Sequence, residues 1–207
     1  MSTVPSRIRR KSPTDRAAEI GQAAREIALS DGLYGITLRA VAARIGVTGS
    51  LVSHYQPNMD LLVSETFGEI VATEIGEVAA EIDAADSATG AMQALIDTLL
   101  GPKRSNVTVV WLDAWSLGRR NKALAAEVGR QMDAWQAFLV GLINDGCARG
   151  EFRVADVATV AWQLLGIIDG LNSHATVRYG DARTQRGLVR TIAEHELGLA
   201  AGALDAR

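Results

Sequence analysis

The stretch that decides the fold, residues 37–55, reads TLRAVAARIGVTGSLVSHY. Apolar residues recur every three or four positions on both sides of Gly46, which predicts two short helices separated by a sharp turn. Glycine tolerates the positive φ that such a turn requires. Thr37 and Thr48 stand where the two helices begin, and a hydroxyl there accepts hydrogen bonds from free backbone N–H groups. Because two helices this short cannot stabilise each other alone, a third helix that includes Ile20–Ile27 is expected to complete the unit.

The second of these helices is expected to have a small, polar outer face. Small side chains allow a backbone to approach the major groove of DNA, while hydroxyl and imidazole groups form hydrogen bonds with phosphates or base edges. The residues predicted to contact DNA are Thr37, Arg39, Thr48, Gly49, Ser50, Leu51, Ser53, His54 and Tyr55. The same short motif also occurs in helix pairs that bind nothing, so further observations have to support this interpretation.

The distribution of charge is one such observation. Residues 1–60 carry eight Lys/Arg and five Asp/Glu, a net charge of +3, although the whole chain has a net charge of −3. A basic N-terminal part on an acidic remainder indicates that one end of the molecule faces a polyanion. Residues 1–14 are interpreted as a disordered basic arm, in which Arg7–Lys11 adds salt-dependent affinity or reaches a minor groove.

The rest of the chain shows helical periodicity throughout. The sequence therefore predicts an all-α fold of about nine helices, without convincing strand alternation. Residues 15–57 are expected to form the helix-turn-helix DNA-binding domain, and residues 58–207 a helical bundle for ligand binding and dimerisation. The longest apolar run, Val157–Ile168, is shorter than the roughly 20 residues that span a bilayer, so no membrane association is expected. A cytoplasmic location is predicted, since the chain has one cysteine, Cys147, and shows no secretory signal.

Enzymes form the main alternative class, and the sequence argues against them. The three histidines, His54, His174 and His195, are scattered, and Cys147 has no evident general base to activate it. Neither a glycine-rich phosphate loop nor a metal-ligand spacing is present. The chain is therefore predicted to have no catalytic residues, no metal and no cofactor.

Tryptophan is concentrated in the C-terminal part. Trp111 and Trp115 lie four residues apart, which places both on one helical face. Rigid aromatic walls suit an apolar or cationic ligand, which would be attracted by cation–π interactions. The predicted effector pocket comprises Trp111, Trp115, Trp135, Phe138, Leu139, Asp169 and Asn172. The alternative is that these rings only fill the core.

Several motifs together resemble the TetR family of bacterial repressors. In the N-terminal part these are Thr37-x-Arg39-x-Val41-Ala42, Ile45-Gly46-Val47-Thr48 and Leu51-x-Ser53-His54-Tyr55. The segments Trp111-x-x-x-Trp115, Gly150-Glu151-Phe152 and Ile168-Asp169-Gly170-Leu171 are similar to the branch that contains the choline-responsive repressor BetI. The resemblance implies a homodimeric repressor that binds a palindromic operator in double-stranded DNA and is released by a small-molecule effector. A dimeric regulator without ligand control, or an activator, is the alternative.

The resemblance and the sequence pattern both place the dimer contacts on the last two helices. A single helix-turn-helix offers few contacts, and dimers of such proteins recognise two half-sites about 34–36 Å apart. Apolar residues cover more of the penultimate helix than one intramolecular face requires, and small residues beside them allow close approach. The predicted interface residues are Val157, Ala161, Leu164, Leu165, Ile168, Leu188 and Ile192. A helix fully buried within a monomer would show the same pattern.

Overall fold

The structure, a computed structural model, describes residues 12–205, which form nine α-helices and no β-strand. The prediction of an all-α fold with about nine helices is confirmed. The basic segment Arg7–Lys11 lies outside the described residues. The helices are α1 (Pro13–Asp31), α2 (Leu38–Arg44), α3 (Gly49–Tyr55), α4 (Met59–Ile82), α5 (Ala88–Leu99), α6 (Ser105–Gly118), α7 (Lys122–Ala148), α8 (Val157–Thr176) and α9 (Ala182–Leu197).

Helices α1, α2 and α3 form the helix-turn-helix unit, for the local reasons that the sequence suggested. Thr37 Oγ1 accepts the Ala40 N–H at 3.1 Å and so caps α2, while Thr48 caps α3 through the Leu51 N–H at 3.4 Å. Gly46 takes a φ of 68°, a left-handed conformation that turns the chain between the two helices. Val52 is completely buried and attaches α3 to the other two helices.

Helix α7 is the centre of the larger bundle and packs against α4, α5, α6 and α8. Helix α4 starts directly after the helix-turn-helix unit, where Asn58 caps it, and packs against both α1 and α7. Helix α6 likewise contacts α1 on one side and α7 and α8 on the other. Two helices thus connect the helix-turn-helix unit with the bundle.

Carboxylates also join distant parts of the bundle by accepting backbone N–H groups. Glu151, just after α7, accepts the N–H groups of Ala88 and Thr89 at 3.0 and 2.9 Å and thereby caps the first turn of α5. Hydrogen bonds to free N–H groups at a helix start stabilise the helix and its orientation. Among the helices within residues 12–205, none is sufficiently long and apolar to cross a lipid bilayer.

Candidate DNA-contacting surface and ligand cavity

Helix α3 uses few of its side chains for packing. Its buried residue, Val52, points inward, while Thr48, Ser50, Ser53 and His54 are exposed on the outside. The other predicted residues of this segment, Gly49, Leu51 and Tyr55, are half-buried. Thr37 and Arg39 are exposed at the start of α2, which packs against α3. The structure therefore presents most of the predicted residues on one small, polar surface.

Two details of this surface lack a packing explanation. A Cβ atom added to Gly49 would approach Leu38 Cδ2 at 3.5 Å, an ordinary van der Waals contact, so the fold would accommodate alanine there. The Arg39 guanidinium makes no hydrogen bond or ion pair with any of residues 12–205, whereas that of Arg44 lies 3.3 Å from the Glu26 carboxylate. A bare backbone at Gly49 and a free guanidinium at Arg39 are both suited to contact with a nucleic acid.

A cavity in the bundle contains all four tryptophans of the chain. Its internal cavity volume is about 60 Å³, within about 680 Å³ of empty space that includes open solvent. Helices α4, α6, α7 and α8 and the end of α5 contribute to its wall. The lining residues are Glu74, Leu99, Arg104, Thr108, Trp111, Leu112, Trp115, Met132, Trp135, Trp162, Leu165, Ile168, Asp169, Asn172 and Ser173.

Two carboxylates stand among the aromatic rings. Burial raises the pKa of Asp169 from 3.8 to about 6, and its carboxylate receives no hydrogen bond or ion pair from residues 12–205. Glu74 is buried and accepts the Trp111 indole N–H at 3.2 Å. Burial also raises the pKa of Glu74, while the indole of Trp111 and the guanidinium of Arg104 act in the opposite direction. The cavity thus combines rigid aromatic walls with a half-buried anionic group, Asp169, that the described residues leave uncompensated.

Arg104 is the cationic side chain of this wall, and it is only 8% exposed. Its guanidinium lies 3.8 Å from Glu74 and 3.6 Å from Glu77, distances of an ion pair rather than of a hydrogen bond. One buried guanidinium therefore faces two carboxylates. Asp169 is a third negative group in the vicinity, because the charge of Asp169 raises the pKa of Glu74. The electrostatic balance of the cavity favours a positively charged occupant.

The structure brings most of the predicted pocket residues together. Trp111, Trp115, Trp135, Asp169 and Asn172 line the cavity, although the Asn172 amide also donates to the Leu99 carbonyl at 3.1 Å. Phe138 and Leu139 do not line it, which corrects the prediction. Leu139 is completely buried in the core, and the Phe138 ring packs edge-on against Trp135, with centroids 5.7 Å apart.

Sequence reasoning missed ten of the fifteen residues that line the cavity, and three of the ten carry a charge or an indole ring, namely Glu74, Arg104 and Trp162. Trp162 was overlooked because it lies on the helix assigned to dimerisation, yet it is 58% exposed and forms part of the cavity wall. Glu74 and Arg104 come from α4 and from the turn before α6, far in sequence from the tryptophans. A signal was present for Glu74, which interrupts the apolar face of α4.

The outer surface of α8 and α9 differs from the predicted dimer surface. Ala161, Leu164, Leu165 and Ile168 are buried within the protomer, so they are corrected from interface to core residues. Val157 and Ile192 are half-buried, and Leu188 is 49% exposed. Small or polar residues dominate the exposed side of the two helices, and the structure leaves open space beside three of its glycines, Gly166, Gly170 and Gly187.

Comparison with protein families gives one match, which covers more than half of the chain. The model of a family described as "BetI-type transcriptional repressor, C-terminal" matches residues 85–198. This range begins just before α5 and ends just after α9, and it therefore includes every element of the cavity wall except α4. No functionally curated protein matches the sequence.

Comparison with solved structures gives several similar folds. A transcriptional regulator from Saccharomonospora viridis, crystallised in complex with choline, is 20% identical with a TM-score of 0.77, and the match covers 89% of this chain and 98% of that one. A transcriptional regulator from Pseudomonas aeruginosa PAO1 is 19% identical with a TM-score of 0.75, covering 97% and 99%. A TetR-family regulator from Rhodococcus sp. is 17% identical with a TM-score of 0.72, covering 89% and 99%. At these identities the likeness establishes a shared fold.

Proposed function

We propose, from the premise that this chain belongs to the family of BetI-type transcriptional repressors, that it is a homodimeric repressor released from its operator by a positively charged small molecule. Transcriptional regulation follows from the family. The operator, the dimer and the effector are the parts that the proposal adds. Within it, residues 15–57 bind DNA, and residues 58–207 bind the effector and dimerise.

The observation that carries the DNA-binding part is the outer surface of α3. Ser50 and Ser53 expose their hydroxyl groups, the exposed His54 ring packs only against the neighbouring Tyr55, and Gly49 presents a bare backbone. Such a surface fits the floor of a major groove, where hydroxyl and imidazole groups form hydrogen bonds with base edges. Arg39 would contact a phosphate and fix the orientation of the helix without reading sequence.

The effector part of the proposal is supported by the chemistry of the cavity. Four indole rings attract a cation through their faces, an interaction of about 2 kcal/mol once the site is desolvated. Asp169 supplies a negative charge that the fold itself leaves uncompensated. A quaternary ammonium compound satisfies both requirements, because it carries a full charge on an apolar, weakly hydrated surface. Choline, which the regulator from S. viridis binds, is a suitable first probe.

For the effector to act as an inducer, it has to bind the DNA-incompetent conformation more tightly than the DNA-competent one. Helix α4 is one connection through which this preference reaches the DNA-binding unit, since it begins directly after that unit and carries Glu74 into the cavity wall. A tilt of α4 would change the separation of the two α3 helices in the dimer. The match to half-sites about 34–36 Å apart would then be lost.

The dimer surface is proposed on the exposed sides of α8 and α9. Glycines and small residues there permit two helix pairs to approach closely, and Leu188 provides an exposed apolar side chain. A two-fold axis through this surface would repeat the same contacts on both protomers.

The experiment begins with selection of bound duplexes from a random DNA library by the full-length protein. Affinity for the selected duplex is then measured by anisotropy, with and without choline, and choline binding is measured by calorimetry. We expect a palindromic consensus and a choline-dependent loss of affinity of about 5- to 150-fold. Equal affinity for selected and scrambled duplexes would refute the DNA-binding part.

A matched pair of compounds tests the charge of the effector. The neutral carbon analogue of choline, in which carbon replaces the ammonium nitrogen, has the same shape and no charge. We expect it to bind at least about tenfold more weakly, and the variant Asp169→Asn to lose most of this difference. Equal affinity of the two compounds for the unmodified protein would show that the cavity selects shape alone, against the proposal.

A further inference from the structure

Helix α6 separates the cavity from the DNA-binding unit, and polar contacts hold it on both sides. On the cavity side, Trp111 and Trp115 line the wall, and the Trp111 indole donates to Glu74 at 3.2 Å. On the other side, Asp113 Oδ2 accepts the backbone N–H of Leu33 at 2.8 Å. A helix advances about 100° per residue, so Asp113 lies on a different face from the two tryptophans.

The backbone conformation at Gly32 makes the contact between Asp113 and Leu33 possible. Gly32 ends α1 with a φ of 79° and is buried, and a Cβ atom at this position would overlap the Asp113 carboxylate. The glycine therefore allows the carboxylate to approach the free N–H groups just after α1. The next residue, Tyr34, forms a second hydrogen bond to α6, with its hydroxyl 2.8 Å from Ser116 Oγ.

The segment held by α6 leads directly into the DNA-contacting surface. Residues 32–35 form a tight turn between α1 and α2, and the Thr37 cap of α2 follows two residues later. A displacement of this turn changes the position of α2 and of α3, which packs against it. Since helices move as rigid elements, a shift of α6 at the cavity is transmitted along its whole length.

We propose that Asp113 is the positioning residue that carries effector occupancy from the cavity to the DNA-binding unit, through its hydrogen bond to Leu33. This inference rests on the proposed function, and it adds a second connection beside α4. An occupant that presses on Trp111 and Trp115 moves α6, and the Asp113 carboxylate then moves or releases the turn after α1. The charged carboxylate makes this bond stronger than a neutral one.

The test compares how strongly choline changes operator affinity in Asp113→Ala and in the unmodified protein. Operator affinity is measured on the selected duplex with and without saturating choline, and the ratio of the two dissociation constants is the coupling. We expect Asp113→Ala to bind choline within about twofold of the unmodified protein while its coupling falls at least about fivefold. A purely structural role would lower operator affinity equally in both conditions and leave the ratio unchanged.

Glu151→Ala is the matched control, because Glu151 likewise accepts backbone N–H groups from a distant segment, but these belong to Ala88 and Thr89 at the start of α5 and not to the helix-turn-helix unit. We expect this variant to keep its coupling. The inference is wrong, while the proposed function stands, if Asp113→Ala keeps the full coupling ratio. It is also wrong if both variants lose coupling by the same factor by which they lose affinity for choline. If the unmodified protein shows no coupling at all, both fail, since there is no displacement to carry.

A measurement on the unmodified protein avoids the risk that Asp113→Ala does not fold. Amide hydrogen exchange is followed by mass spectrometry on short peptides that span Leu33 and Tyr34, with and without saturating choline. We expect choline to accelerate exchange there by at least about fivefold, because the displaced carboxylate no longer protects these N–H groups. The amides of Ala88 and Thr89, held by Glu151, should not change. Unchanged exchange at Leu33 in the choline-bound protein would refute the inference.

Discussion

Asp169→Asn is expected to make the protein more stable at neutral and alkaline pH. Burial raises the pKa of Asp169 from 3.8 to about 6, so the ionised carboxylate is disfavoured in the folded protein. The folded state retains a proton between these pH values that the unfolded state has released, and the free energy of unfolding therefore decreases as the pH rises from 4 to about 6. A shift of about 2 pKa units corresponds to about 3 kcal/mol.

The asparagine variant has no charge to desolvate, so it should gain up to about 3 kcal/mol at pH 8 and nothing at pH 4. For a chain of this size the gain at pH 8 is roughly 6–12 °C in the midpoint of thermal unfolding. Calorimetric melts from pH 4 to pH 8, at fixed protein concentration, measure it. Asp86→Asn, an exposed position between α4 and α5, is the control and should show no such pH dependence. A gain that is equal at both pH values, or a loss of stability at pH 8, would refute the interpretation of Asp169 as an uncompensated, partly desolvated charge.

Four further changes test other parts of the structure. Choline should bind the unmodified protein about tenfold more weakly at pH 5 than at pH 7, since protonation of Asp169, with its pKa of about 6, removes the attracting charge; a flat calorimetric profile would contradict this. Gly49→Ala should raise the free energy of unfolding by up to about 1 kcal/mol, because the added methyl group meets only Leu38 inside the fold. The same variant should nevertheless bind the operator more weakly in the anisotropy assay. Arg39→Ala should weaken binding to all duplexes alike and reduce the salt dependence of log K by about 1; a loss confined to the operator would assign Arg39 to base recognition. Leu188→Glu should raise the dimer dissociation constant at least about tenfold in sedimentation experiments, and an unchanged constant would place the interface elsewhere.

The parts of the structure that depend on neighbouring residues could be predicted from the sequence. The caps at Thr37 and Thr48 and the turn at Gly46 involve contacts within a few residues, and the structure contains all three. The spacing of Trp111 and Trp115 likewise placed both rings on one face of α6. Local rules therefore sufficed for the helix-turn-helix and for one wall of the cavity.

The parts that depend on packing between distant helices could not be predicted. Helix α8 carries more apolar residues than one face requires, and this excess suggested a dimer surface. In the structure, α6, α7 and α9 all pack against α8, so Leu164, Leu165 and Ile168 are buried within the protomer. Glu74 and Trp111 are 37 residues apart, and no local pattern reports that an indole and a carboxylate from different helices will meet.

The placement of tryptophan has a practical consequence for anyone who studies this protein. All four indoles of the chain border the same cavity. Because tryptophan alone absorbs at the red edge of the protein absorption spectrum, fluorescence excited there is emitted from the region of this cavity. Intrinsic fluorescence can therefore report, without a label, the entry of a molecule into the cavity, because the helix-turn-helix unit contains no tryptophan. Candidate metabolites can be screened by the change in tryptophan emission before an operator sequence is known.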